Sequence, residues 1–107
     1  MNQVAARCAA LLGLALFSAA AAGNEKDPGR QLFVKDAMPP CAICHTLADA
    51  GASGNIGPSL DELKPDAPRV IKALKTGIGQ MPAYPQLSEE QIQTITRYVV
   101  RASSGAK

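Results

Sequence analysis

Along this chain hydrophobic positions come first as one unbroken run and later as spaced stripes. The run spans roughly Cys8 to Ala22, CAALLGLALFSAAAA, with Arg7 before it and the polar Asn24-Glu25-Lys26-Asp27 after it. Pro28 to Asp36 then reads as a short helix with Leu32 and Phe33 facing inward. Asp27 can cap it, and Pro28 sits where a helix needs no N–H. Met38-Pro39-Pro40 ends it, because a residue before proline is pushed out of the α region. Val70, Ile71 and Leu74 share one face of a second helix, Ala67 to Thr76, with Arg69, Lys72 and Lys75 off that face. Asp66 can cap this helix and Gly77 can stop it. A third opens at Ser88-Glu89-Glu90-Gln91, a capping box with acids in the first turn. Ile92, Ile95 and Val99 repeat along it with Tyr98 flanking, and Ser103-Ser104-Gly105 ends it. Between helices, residues 48–58 (ADAGASGNIGP) and 77–86 are rich in Gly and Pro and predict surface loops. No alternating pattern is long enough for a strand, and no repeat is present. The prediction is an all-α domain of three or four short helices, whose long loops need something to wrap around.

The unbroken run changes the account of what folds. A short basic start, an apolar stretch of about 15 residues and small residues at Ala20 and Ala22 have the layout of a secretory signal peptide over residues 1–22. A bilayer needs roughly 20 apolar residues in helix, so only an uncleaved leader would tie the chain to a membrane. Cys8 belongs to the leader, and residues 23–107 form the exported, periplasmic domain. The whole chain carries +2, and removing Arg7 with the leader leaves +1, too small a basic excess for a nucleic-acid binder. Leu, Ile, Val and Phe make up about one fifth of residues 23–107, near the level at which chains lose a self-sufficient core. The aromatics there are Phe33, Tyr84 and Tyr98. Small domains in that position complete their core with a metal, disulfides or a cofactor.

Two of the three cysteines, Cys41 and Cys44, lie in that domain, in the run Cys41-Ala42-Ile43-Cys44-His45-Thr46. A thioredoxin-type redox pair requires strands around it, and none is predicted. A structural zinc site requires four ligands, and His45 is the only histidine. The C-x-x-C-H spacing instead matches covalent haem attachment: two thiols add to neighbouring vinyl groups, and the adjacent histidine binds the iron. Export agrees with that chemistry, and a haem would supply the missing apolar bulk. No carboxylate pair or nucleophile–base set points to an enzyme.

Further residues arrive in an order that resembles the class I c-type cytochromes, over about residues 28 to 102. Gly29-x-x-Leu32-Phe33 lies in the first helix and the Cys41–Thr46 motif follows. After these come Gly57-Pro58-x-Leu60, then Gly79-x-Met81-Pro82, and a last helix carrying Tyr98. The Met38-Pro39-Pro40 segment before Cys41 departs from that pattern. The resemblance implies a cytochrome c fold around one covalent haem c and one-electron transfer between redox protein partners. It implies that Gly29 lets the last helix approach closely, with Phe33 packed beside Tyr98. It also implies that the Pro58 carbonyl accepts from the Nδ1–H of His45.

Met81, in a loop resembling the family's ligand loop, is the expected sixth ligand opposite His45, raising the reduction potential. Met38 sits too close to Cys41 to cross the haem and is expected to be filler or exposed. Tyr84 could donate toward a haem propionate or simply pack. The Arg69, Lys72 and Lys75 cluster reads first as a solvated helix face and second as a guide for an acidic partner. Two other roles are compatible with the motif. One is a dedicated electron-accepting subunit of a periplasmic dehydrogenase, such as a molybdenum-containing sulfite dehydrogenase. The other is a five-coordinate haem protein acting as gas sensor or peroxidase.

Overall fold

The computed structural model describes residues 25–105 and, singly, Gly13; the rest of the expected leader lies outside the described residues. Helix α1 (Pro28–Gln31) starts as expected, with Pro28 at its first position and the Asp27 carboxylate accepting from the Gly29 and Arg30 amides. It does not run on as one α-helix. Residues Leu32–Asp36 widen into a π-helical turn, closed by Ala37 N–H donating to the Leu32 carbonyl at 3.0 Å. Such one-turn widenings are uncommon and often sit near functional sites. The Met38–Pro40 segment leads into α2 (Cys41–Cys44), a single helical turn.

Two short strands follow, β1 (Thr46–Leu47) and β2 (Ala52–Ser53), paired antiparallel with Thr46 opposite Ser53 and Leu47 opposite Ala52. A 3₁₀ turn, Ala48–Ala50, joins them, with Gly51 at φ 63°. The sequence pattern gave no sign of this hairpin, because two-residue strands have no period to detect. Helix α3 (Leu60–Leu63) also went unexpected; Ser59 caps it through the Glu62 amide, and Lys64 ends it in the left-handed region. The second predicted helix, α4 (Ala67–Thr76), has the expected Asp66 cap and ends at Gly77, φ 67°. Last comes α5 (Glu89–Ser103), with the Ser88–Gln91 capping box formed in both directions. Its buried stripe is Ile92, Ile95, Tyr98 and Val99, as the periodicity predicts, with Thr96 added. The buried Thr96 hydroxyl is satisfied by the Ile92 carbonyl at 2.6 Å.

Helix α5 is the spine of the fold, and it packs on α1 and α4. The α1 crossing depends on Gly29: a Cβ there would lie 2.4 Å from Tyr98 Cβ and 2.8 Å from the Thr94 carbonyl oxygen. Phe33 meets Tyr98 edge-on, with centroids 6.1 Å apart at 62°, a favoured aromatic geometry. The Tyr98 hydroxyl donates to Asp49 at 2.7 Å, tying α5 to the hairpin turn. Burial first, and the Asp49 carboxylate second, push that phenol far above its usual range. Arg101 lies over the outer side of the same ring, 5.6 Å from its centroid, and pairs with Asp27 at the start of α1. Among the described residues no helix is long and apolar enough to cross a membrane.

Candidate functional site

One turn of helix places residues three apart on the same side, so α2 presents Cys41 and Cys44 together. Both are free thiols, and both line a cavity of about 810 Å³. That volume is within the range of cofactor sites, ~300–1,000 Å³. Burial pushes the Cys41 thiol up to about 11, with the charge of Cys44 adding to the effect, so it rests as an uncharged thiol. His45 follows in extended conformation (φ −116°, ψ 137°). That turns its ring to the same cavity.

The His45 ring is held from two sides. Its Nδ1 lies 2.8 Å from the Pro58 carbonyl oxygen. A carbonyl can only accept, so Nδ1 carries the hydrogen and Nε2 keeps its lone pair free for a ligand. Gly57 supports the ring from behind: a Cβ there would lie 2.6 Å from Cε1 and 2.9 Å from Nδ1. Its amide donates to the Cys44 carbonyl at 2.7 Å. Gly54 is as tightly packed, with a hypothetical Cβ 2.5 Å from the Ile43 carbonyl oxygen, and its own carbonyl accepts from the Thr46 hydroxyl at 2.8 Å. The stretch 48–58 is therefore only in part the surface loop expected from its composition. Two of its glycines are pressed against the Cys41–His45 segment, where side chains cannot fit.

Met81 reaches the cavity from the loop after α4. Ile78 and Met81 exchange backbone hydrogen bonds at 3.1 and 2.9 Å around Gly79-Gln80, with Gly79 at φ 55°. This is the tight turn for which glycine in the first central position is suited. Gly77 is needed for space as well as φ, since a Cβ would lie 2.8 Å from the Met81 carbonyl oxygen. The Tyr84 amide donates to the Leu74 carbonyl at 2.8 Å, which brings the chain back onto α4. Met38 does not line the cavity and is 67% exposed.

Tyr84 lines the cavity and is buried, and its hydroxyl donates to the Pro39 carbonyl at 2.7 Å. Burial, with the nearby Cys41 and Cys44 adding, pushes its phenol up to about 12, so it remains a protonated donor through the neutral range. Pro58, the other expected contact, contributes ring and carbonyl together. The rest of the wall is mostly apolar: Phe33, Leu60, Val70, Leu74, Ile95 and Val99. Arg69 and Lys72, assigned from the sequence to an outer helix face, border the cavity too. Only Lys75 of that cluster turns elsewhere, onto Glu89 at 3.0 Å. The sequence did not single out Gly54; Gly57 entered only beside Pro58 in the resemblance, and Arg69 and Lys72 only as a helix face or a guide for an acidic partner, not as a border of the cavity.

No group of three or more His, Cys, Asp or Glu among the described residues is disposed to hold a metal ion directly. What converges is different in kind: two thiols on one helical turn, an imidazole with its outer nitrogen free, a thioether and an apolar cradle. That donor set fits a haem c.

The comparisons with known proteins agree. Residues 24–99 match the family described as cytochrome C oxidase, cbb3-type, subunit III. The chain belongs to this cytochrome c family and is a small class I c-type cytochrome. Among solved structures it is similar to the c-type cytochrome SorU from Sinorhizobium meliloti, at 51% identity and a TM-score of 0.69. The match covers 71% of this chain and 87% of that one. No curated protein matches the chain. Proteins of this family are electron carriers that hold haem c covalently, and electron transfer is the activity this chain shares with them.

Proposed function

We propose that residues 23–107 form a periplasmic carrier of single electrons with one haem c. In this reading Cys41 and Cys44 are the thioether anchors, and His45 and Met81 are the axial ligands. The observation that carries it is the convergence of these four side chains on one apolar cavity, with His45 presenting a free Nε2. A haem c bound there would supply a one-electron Fe(III)/Fe(II) couple. The chain's own residues do the rest. The Pro58 carbonyl holds the imidazole in one tautomer and orientation, and Gly57 bars any sideways shift of the ring. Phe33, Leu74, Ile95 and Val99 exclude water, which keeps the donor set the same through a change of charge. With a haem bound, a thioether from Met81 would favour the reduced state, and Met81 and His45 together would leave no open position for oxygen chemistry.

The optical spectrum of the haem-loaded protein tests this. Met81→Ala should abolish the weak red band typical of thioether-ligated ferric haem, and Met38→Ala should leave it unchanged. A high-spin spectrum and ready carbon monoxide binding in the unsubstituted protein would move the five-coordinate sensor or peroxidase reading to the front. Service as a dedicated dehydrogenase subunit, the sulfite dehydrogenase case included, finds support in Ile56 and Ile78. Both border the cavity and are 64% and 68% exposed, an apolar rim that a partner protein would cover. Co-purification of a larger redox chain separates that role from a free shuttle.

A further inference from the structure

The loop that carries Met81 is attached to the rest of the molecule at two places. One is α4, through Tyr84 N–H to the Leu74 carbonyl at 2.8 Å. The other is the segment just before Cys41. There the Tyr84 hydroxyl donates to the Pro39 carbonyl at 2.7 Å, and the Gln86 side-chain amide donates to the Met38 carbonyl at 2.8 Å. Both acceptors are backbone atoms within three residues of the first anchoring cysteine, and both donors follow Met81 within five residues. Tyr84 is 4% exposed as a residue. A buried donor left without its partner costs free energy, so the bond favours keeping the loop against the Pro39 carbonyl. Pro39 and Pro40 have no N–H and restricted backbones, so the acceptor side of the bridge is stiff.

We propose that Tyr84, assisted by Gln86, is a positioning residue that latches the Met81 loop to the haem-attachment segment and so holds the thioether on the iron. This rests on the reading of Met81 as a ligand. The bridge lies in the cavity wall and joins the segment before Cys41 to the loop carrying Met81. When it opens, the loop keeps its hold on α4 but loses its tether to the attachment side, and Met81 yields more readily to a competing ligand. Tyr84 does not itself touch the reacting atoms in this role.

The test uses haem-loaded protein and imidazole as the competing ligand, with binding to the ferric form followed optically. Tyr84→Phe keeps the ring in place and removes only the donor. It should bind imidazole about fivefold more tightly, the equivalent of ~1 kcal/mol. Gln86→Ala should move affinity in the same direction by less, because its bond is exposed. Tyr98→Phe is the matched control: it also removes a phenol hydrogen bond, to Asp49, at a ring outside the cavity wall. It should lower stability without raising imidazole affinity. Equal affinity in Tyr84→Phe and the unsubstituted protein would overturn the latch, and so would an equal rise in Tyr98→Phe. If Met81→Ala leaves the unsubstituted spectrum unaltered, the ligand reading itself fails and the latch falls with it; loss of the band in Met81→Ala with no effect of Tyr84→Phe condemns the latch alone.

Discussion

His45 shows how one side chain is prepared by neighbours that carry no reactive group. Its orientation comes from a backbone carbonyl, and its clearance comes from the missing side chain of Gly57. An added methyl at Gly57 would sit 2.6 Å from Cε1, inside the shortest distance such atoms adopt. The ring cannot slide away without stretching the 2.8 Å contact with Pro58. Gly57→Ala should therefore cost ~1–3 kcal/mol, the range for overpacking. It should also lower the yield of haem-loaded protein and shift the reduction potential, because ring orientation tunes ligand basicity. Potentiometry on whatever loaded protein forms checks this. An unchanged potential at normal yield would mean that the Gly57–Pro58 segment moves freely and does not hold the ring.

Between elements the same logic governs the α1–α5 crossing. Gly29→Ala gains up to about 1 kcal/mol of helix propensity. It must also open a contact in which the new Cβ would be 2.4 Å from Tyr98 Cβ and 2.8 Å from a backbone oxygen. The backbone oxygen cannot rotate aside, so the clash wins. A net loss of ~1–3 kcal/mol is expected in chemical denaturation of the loaded protein. The ion pair at this crossing sets a pH dependence. Burial alone would raise the Asp27 carboxyl, but hydrogen bonds from Arg101 and then from the Gly29 and Arg30 amides outweigh it and hold it below its ordinary value. A carboxylate lowered by folding stabilises the fold above its unfolded pKa, about 4, and loses that contribution as pH falls through the folded value. Asn is an equally good cap but cannot pair with Arg101. The difference in thermal midpoint between the unsubstituted protein and Asp27→Asn should therefore shrink toward zero as pH drops below about 4. The Ile92, Ile95, Val99 stripe was legible in the sequence because helical spacing records which residues face a neighbour, while the crossing at Gly29 and Phe33 was an implication of the resemblance to class I c-type cytochromes. The cradle under His45 was less legible. Gly54 and Gly57 look like linker residues in composition, and only three-dimensional packing distinguishes a glycine that bends the chain from one that lets a ring pass. The Tyr84–Pro39 bond joins residues 45 apart in sequence and leaves no periodic trace.

The whole molecule is organised around a cavity it has too few side chains to fill. The core residues Phe33, Leu74, Ile95 and Val99 each present a surface to that cavity as well as to one another. These four are buried by protein alone, so what a protein prevented from attaching haem leaves open to water is the outer lining, Ile56, Val70, Ile78 and Met81. That apolar lining forgoes the roughly 25 cal/mol per Å² that burial supplies, and whole domains are stable by only ~5–15 kcal/mol. A small domain with so thin a core has little margin to offset the loss. The Cys41→Ala/Cys44→Ala protein, made without haem, should lack a cooperative thermal transition, while α5, with its capping box and its acidic first turn, keeps some helical signal. Circular dichroism against temperature reads both. A sharp transition in that variant would mean that the α1–α5 core around Tyr98 folds by itself, and the cofactor would then be a guest in a finished structure. A shallow, non-cooperative loss of helix would mean that attachment and folding are one event.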